Sequence, residues 1–163
     1  MRAIPRIGRP GGSSDFHDSS LIALEYLPIE ESLVVVLSTP NECGLQELWQ
    51  VRLGGVLEMQ LATLGNGEPP ETTVAPEVYD VFDDPTHSCA KKWRRRLRKL
   101  GISEPEVHVV TFASSFLRGW GSQSYLEGIR VVCRRVTVER APSEYRNTQG
   151  YSRARIKGHD WIG

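Results

Sequence analysis

Residues 33–37 read Leu-Val-Val-Val-Leu, an unbroken apolar run with three β-branched residues in succession. Such a run favours a β-strand, and neither face of that strand can stay in water, because side chains alternate between the two faces of a sheet. We therefore predict either a central strand that is covered on both sides or a strand at a tight junction of the sheet. A chain of 163 residues is long enough to supply the covering layers, and its length predicts a single domain.

Two further patterns on either side of this run predict strands. Residues 17–26 are expected to form a strand with Ile22, Leu24 and Tyr26 on one face. Apolar and polar side chains also alternate before and after Gly54-Gly55, a dipeptide that favours a two-residue hairpin turn. We therefore predict a hairpin of two antiparallel strands, residues 49–53 and 57–61.

The second half of the chain adds the late strands. Residues 129–138 predict one long strand with Val132, Val136 and Val138 on the same face, and residues 107–114 predict another strand. Residues 78–82 predict either a short strand or a turn of helix. The expected fold class is α+β, mainly an antiparallel meander. It forms either two packed sheets or a partly open barrel.

One amphipathic helix is predicted over residues 85–100. Asp84 is suited to cap it, Pro85 to occupy its first position, and Gly101 to end it. Apolar residues at spacings of four, four and three form a stripe that would face the sheet. This stripe consists of Cys89, Trp93, Leu97 and Leu100.

Charge is unevenly divided along the chain. Residues 15–84 contain fourteen acidic residues and one arginine, whereas residues 85–163 contain sixteen Lys/Arg and six acidic residues. Seven of these cations fall within residues 91–99, where each like-charge pair one turn apart costs a few tenths of a kcal/mol. Three interpretations follow: the acidic half of the fold balances the helix, or the helix contacts an acidic protein, or it contacts nucleic acid.

The chain divides into three segments by composition. Residues 1–15 predict a flexible basic arm, residues 16–140 a β-rich domain, and residues 141–163 a polar basic tail. We predict no membrane association, because the apolar runs are shorter than the roughly eighteen residues of a spanning helix and the N-terminus lacks the apolar region of a signal peptide. The three cysteines are odd in number and widely spaced, which favours a reducing cytoplasm without disulfides.

The expected contact surface combines the helix with a loop. Arg94, Arg95 and Arg98 lie on the side of the predicted helix that faces solvent, and Arg118 and Trp120 lie in a glycine-rich segment. Arginine and tryptophan are over-represented among the residues that dominate binding energy at interfaces. The alternative for Trp120 is that it folds back over the end of the sheet.

No catalytic residue, metal site or cofactor is predicted. The chain has no Gly-x-Ser-x-Gly motif, and His108 and Ser114 would lie about 20 Å apart along one strand. His87 and Cys89 would supply two ligands, whereas a structural zinc ion needs four.

Three short segments resemble a known group of proteins. They are His17-Asp18-Ser19-Ser20-Leu21, Leu53-Gly54-Gly55-Val56-Leu57 and Gly128-Ile129-Arg130-Val131-Val132-Cys133. Over residues 16–138 the chain is similar to small bacterial β-rich immunity proteins of polymorphic toxin systems and their uncharacterised relatives. The resemblance implies a non-enzymatic cytoplasmic protein that binds a partner. The basic helix and the tail depart from an acidic, nuclease-neutralising member of that group.

We therefore expect a non-enzymatic macromolecular binding protein, either an immunity-type inhibitor or a subunit of a bacterial complex. Its expected partner is a protein with an acidic or toxin-like surface. One alternative is nucleic-acid binding through residues 91–99 and the basic tail. The other alternative is an enzyme of unknown chemistry. The oligomeric state does not follow from the sequence.

Overall fold

The computed structural model describes residues 3–61, 77–114 and 128–147. Within these residues the chain forms a mainly antiparallel sheet with one α-helix, which confirms the predicted α+β class. The described strands are β1 (Ser19–Leu27), β2 (Ser32–Pro40), β3 (Gln46–Gly54), β4 (Glu58–Leu61), β5 (Glu77–Asp83), β6 (His108–Ser114), β7 (Ile129–Cys133) and β8 (Arg135–Arg140). The α-helix is α1 (Ser88–Lys99), and a 3₁₀ helix, Ser143–Asn147, follows β8.

The sheet consists of two halves that face each other across the main core. The strand order is β4-β7-β6-β5-β1-β2-β3-β8, and all of these pairings are antiparallel. Side chains from β1, β2 and β3 meet side chains from β5, β6 and β7 in one apolar cluster. Between β1 and β5 the ladder has two residue pairs, Ser19 with Val78 and Ser20 with Glu77. The two strands at the ends of this order, β4 and β8, do not pair with each other, so the described strands do not form a closed barrel.

Strand β2 is covered on both faces, as the sequence predicts. Val35 belongs to the main core between the two halves of the sheet, and it is fully buried. Its neighbour Val36, also fully buried, belongs to an outer cluster that includes Ala141 and contacts Tyr145. The segment after β8 therefore provides part of the second cover that the apolar run requires.

The chain bends at Gly54-Gly55 but does not reverse direction there, so the predicted hairpin turn is wrong. Strand β3 pairs with β2 and β8, whereas β4 pairs with β7, so β3 and β4 are successive parts of one bent strand. Gly55 has a φ of 62°, a conformation that glycine adopts without steric cost. A two-residue hairpin and a bend both use this freedom, so the dipeptide alone does not separate them.

The predicted strand over residues 129–138 is broken at Arg134. The Arg134 N–H lies 3.0 Å from the carbonyl oxygen of Gly54 and 3.2 Å from that of Gly55, opposite the bend. The break shifts the alternation of side chains by one residue. Val136 and Val138 therefore contact the main core, whereas Val132 packs beneath the helix, and the prediction that these three valines share a face is wrong.

An irregularity in β1 has the same effect on Ile22. The pairing of β1 with β2 changes register between Leu21 and Ala23. Leu24 and Tyr26 contact the main core as predicted, but Ile22 belongs to the outer cluster on the opposite face. The extra residue explains the difference, because it reverses the face of every side chain on one side of the bulge.

Helix α1 begins at Ser88 and not at Pro85. The Asp84 carboxylate accepts hydrogen bonds from the Thr86 N–H at 3.0 Å and the Thr86 hydroxyl at 2.8 Å, which forms a turn before the helix. His87 caps the helix itself, since its Nδ1 accepts the N–H of Cys89 at 3.1 Å. The Thr86 hydroxyl lowers the pKa of Asp84, because its hydrogen bond favours the ionised carboxylate.

Gly101 terminates α1 as predicted, two residues after the last helical residue, Lys99, although Leu100 does not join the apolar stripe. Gly101 has a φ of 88°, and its N–H donates to the Arg98 carbonyl at 3.0 Å. The Ile102 N–H donates to the Leu97 carbonyl at 3.1 Å, which completes a Schellman motif. This turn leaves Leu100 77% exposed and returns Ile102 to the cluster under the helix.

The described parts of the two termini lie against the sheet. Gly8 forms a parallel bridge with Phe82, and the Asp83 N–H donates to the Gly8 carbonyl at 2.9 Å. At the other end, Ala141 is buried in the outer cluster. The flexibility of residues 1–15 stays a prediction, and residues 148–163 of the predicted tail lie outside the described residues.

Candidate functional site

Helix α1 packs one face onto β6 and β7 and leaves the opposite face to solvent. Ala90 and Leu97 are buried against Val107, Val109 and Val132. The helical period then directs residues on the far side away from the sheet. These exposed cations are Lys91, Arg95, Arg98 and Lys99, and we call them the basic face.

The basic face has no acidic partner within the described residues. None of the four cationic side chains forms an ion pair, hydrogen bond or ring contact with the side chains and backbone groups that the structure describes. The four cations and Arg94 border a shallow cavity of about 640 Å³, and a second cavity of about 370 Å³ lies on the Ser88 and Arg96 side. This side of the molecule therefore presents concentrated positive charge.

The sequence predicts Arg94, Arg95 and Arg98 as contact residues, and the structure separates Arg94 from the other two. The Arg94 guanidinium is half-buried and donates to the carbonyl oxygen of Pro85 at 2.8 Å and to that of Val107 at 3.2 Å. It therefore ties the helix to the segments before and after it. Arg95 and Arg98 are exposed and make no such contacts within the described residues.

Beside the basic face, Lys92 and Trp93 share one carboxylate. The Glu58 Oε2 atom lies 2.7 Å from the Lys92 Nζ and 2.8 Å from the Trp93 Nε1. Both donors stabilise the ionised carboxylate and so lower the pKa of Glu58, and the hydrogen bond from Lys92 has the larger effect. The Arg96 guanidinium lies 5.0 Å from the centre of the Trp93 ring and the Lys92 Nζ lies 5.8 Å from it, both within cation–π range.

Among the helix cations of the described residues, the acidic half of the fold supplies an ion-pair partner for Lys92, and the same carboxylate is also attracted by Arg96. Glu58 is the acidic group that pairs with Lys92. Other acidic side chains of the described first half pair elsewhere, as Asp15 does with Arg6 at 3.3 Å and Glu30 with Arg52 at 3.2 Å. Arg118 and Trp120, the other predicted contact residues, lie outside the described residues.

A second polar cluster lies where the end of β5 is paired with the beginning of β6. The sequence alone does not reveal it. The His108 Nδ1 lies 2.7 Å from Asp83 Oδ2, and the His108 Nε2 lies 2.9 Å from Glu106 Oε1. Carboxylates only accept, so His108 makes both bonds as donor when it is doubly protonated. The arrangement links the segment after α1 to the end of the sheet.

Ser14, His17 and Asp80 are also brought together. The Ser14 hydroxyl donates to Asp80 Oδ1, and it accepts from the N–H groups of Phe16 at 3.2 Å and Val81 at 3.3 Å. These bonds use the hydroxyl proton and both lone pairs of Ser14. His17 Nδ1 lies 3.9 Å from Asp80 Oδ2, so the carboxylate and not the serine is its neighbour. The chemistry of this cluster is that of a structural hydrogen-bond network.

The described residues hold three free thiols and no cluster of metal-binding side chains. Within residues 3–61, 77–114 and 128–147, no group of three or more His, Cys, Asp or Glu side chains is placed to hold a metal ion. All three cysteines are free: Cys43 is exposed, Cys89 half-buried and Cys133 buried. Burial raises the pKa of the Cys133 thiol to about 12, with Asp83 adding to the shift.

No protein-family model matches this chain, and the searches of curated proteins and of solved structures likewise find no match. Within the part of the chain that the structure describes, no helix is both long and apolar enough to span a membrane.

Proposed function

We propose that this protein binds another protein without catalysis, and that the basic face docks on an acidic surface of that partner. The proposal is supported mainly by one observation: four exposed cations on one helix face have no partner among the described residues. Helix α1 is about 18 Å long, and like charges at this density repel one another. A partner that brings carboxylates to this face would relieve the repulsion and gain electrostatic complementarity.

The surroundings of the basic face favour a protein over nucleic acid. Asp84 precedes the helix, Glu104 and Glu106 follow it, and Glu58 lies beside it. A nucleic acid carries charge along its whole length, and a strand that extended past either end of the helix would meet these carboxylates. An acidic patch on a folded protein can match the length of the helix.

The finer proposal is an immunity-type inhibitor or a subunit of a bacterial complex, acting in the cytoplasm. It is supported by the resemblance of residues 16–138 to immunity proteins of polymorphic toxin systems. Three free thiols, one of them exposed, suit a reducing compartment. On this proposal the toxin-like partner would present the acidic surface to the basic face.

The test compares two labelled probes by fluorescence anisotropy: an oligoglutamate peptide and a duplex DNA of equal total charge. At physiological salt we expect the peptide to bind more tightly than the DNA, and its affinity to fall as salt rises. Tighter binding of the DNA, with a linear decrease of log affinity against log salt, would favour the nucleic-acid alternative instead. The absence of peptide binding at low salt would contradict the proposal.

A further inference from the structure

We propose that Glu58 is an internal competitor for the partner, and that a carboxylate of the partner displaces it from Lys92 and Trp93. The inference rests on the proposed function, since it concerns the same basic surface. Glu58 occupies one edge of that surface in the free protein. Its removal should therefore strengthen the binding of acidic ligands.

The contacts of Glu58 define the type of ligand that this edge accepts. One oxygen atom, Oε2, receives both the Lys92 Nζ at 2.7 Å and the Trp93 indole N–H at 2.8 Å. The donors are adjacent on α1, whereas the acceptor comes from β4, so helix and strand contribute opposite halves of the site. A carboxylate from another protein would satisfy the same two donors.

The site is accessible and its internal ligand is weakly held. The Lys92 side chain is 44% exposed and that of Glu58 is 38% exposed. Ion pairs at this exposure contribute little to stability, because water screens them and both side chains lose freedom. An incoming carboxylate can therefore replace Glu58, particularly when neighbouring carboxylates of the same partner reach Arg95 and Lys99.

The neighbouring cation strengthens this interpretation. The Arg96 guanidinium lies 5.0 Å from the centre of the Trp93 ring and the Lys92 Nζ lies 5.8 Å from it, so Glu58 faces two cations and one neutral donor. Without Glu58, none of these three groups would have an acidic partner among the described residues. They would then extend the basic face toward β4.

The experiment measures the affinity of a labelled oligoglutamate peptide for the full chain and three variants. Glu58→Gln removes the competing charge and should raise the affinity roughly twofold to fivefold, the range expected when one exposed ion pair is lost. Glu42→Gln makes the same change of net charge in the loop between β2 and β3, and it should leave the affinity unchanged. Glu104→Gln makes that change just after α1, without a bond to Lys92 or Trp93, and it should have a smaller effect than E58Q.

A second readout follows the Trp93 indole N–H by NMR, assigned with a Trp93→Phe variant. The peptide should shift this resonance in the wild-type protein. Two results would contradict the proposal that Glu58 competes with the partner: a gain of affinity in E58Q no larger than that in E104Q, or an indole resonance that does not shift on saturation with the peptide. Neither result would contradict the proposed function. If neither the wild-type protein nor E58Q binds the peptide, both proposals fail.

Discussion

Gly55 lies so close to Arg134 that a Cβ atom at position 55 would be 2.9 Å from the Arg134 Cβ atom. The contact joins the bend between β3 and β4 to the break between β7 and β8. The β3–β4 segment and the β7–β8 segment change direction at the same place. There the Arg134 N–H donates to the carbonyls of Gly54 and Gly55. The absence of a side chain at position 55 thus lets the two bent strands run side by side.

Gly55→Ala should therefore destabilise the protein more than Gly44→Ala. Both glycines have positive φ, 62° and 76°, so each substitution costs about 1–2 kcal/mol of backbone strain. At Gly44 nothing lies within 4 Å of the added atom, whereas at Gly55 the Arg134 side chain must move. We expect G55A to lose at least about 1 kcal/mol more in urea unfolding. Equal losses would show that the contact with Arg134 is unimportant.

Arg94 and Arg95 are adjacent, but their substitution should affect different properties. Arg94→Ala removes the hydrogen bonds to the Pro85 and Val107 carbonyls and should lower the free energy of unfolding by about 1–3 kcal/mol. Arg95→Ala should change it by less than about 0.5 kcal/mol, because Arg95 is exposed and unpaired in the described residues. Thermal or urea unfolding of the two variants measures this contrast. A stability loss in R95A equal to that in R94A would contradict these separate roles.

The turn before α1 should make a small contribution to stability that depends on pH. The pKa of Asp84 is lowered, chiefly by the Thr86 hydroxyl, so its ionised form is favoured in the folded protein. This contribution is fully present above the ordinary carboxyl pKa of about 4 and is lost as the pH falls through the lowered value. The difference in unfolding free energy between wild type and Asp84→Ala should therefore shrink in acid. A difference that grows in acid would contradict this linkage.

The three thiols should react at different rates with Ellman's reagent. Cys43 is exposed and should react first, and the half-buried Cys89 should follow. Cys133 is buried and its pKa is raised to about 12, so its thiol stays protonated at neutral pH and should react after unfolding. A Cys43→Ser variant identifies the fast phase. Rapid labelling of Cys133 in the native protein would contradict its buried position.

The local sequence pattern predicted the strands and the helix of this fold better than the bends and register shifts between and within them. The apolar run around Val35 required a strand with two covered faces, and the structure has one. The register shifts at Ile22 and Arg134 were not predictable. A strand that contains one extra residue has the same kind of apolar sequence as a regular strand, so the pattern does not show where the alternation changes. Gly54-Gly55 satisfied the requirements of a hairpin turn, but the pairing of β3 with β8 decided in favour of a bend.

The same limit applies to the candidate site. The density of cations in residues 91–99 identified the exposed helix face directly from the sequence. It did not separate Arg94, whose guanidinium binds two carbonyls, from Arg95, because the segment after the helix decides which arginine is covered. Likewise Glu58 lies far from Lys92 in sequence, and β4 brings the two together only in the folded chain.

The central claim is that the basic face binds an acidic partner, and the R95Q/R98Q double variant tests it most directly. The measurement is the affinity of the oligoglutamate peptide across a series of salt concentrations, with urea unfolding as the control for folding. We predict that the double variant binds on the order of tenfold more weakly than wild type, with a shallower salt dependence and an unchanged free energy of unfolding. Equal affinity and equal salt dependence in the two proteins would contradict the claim.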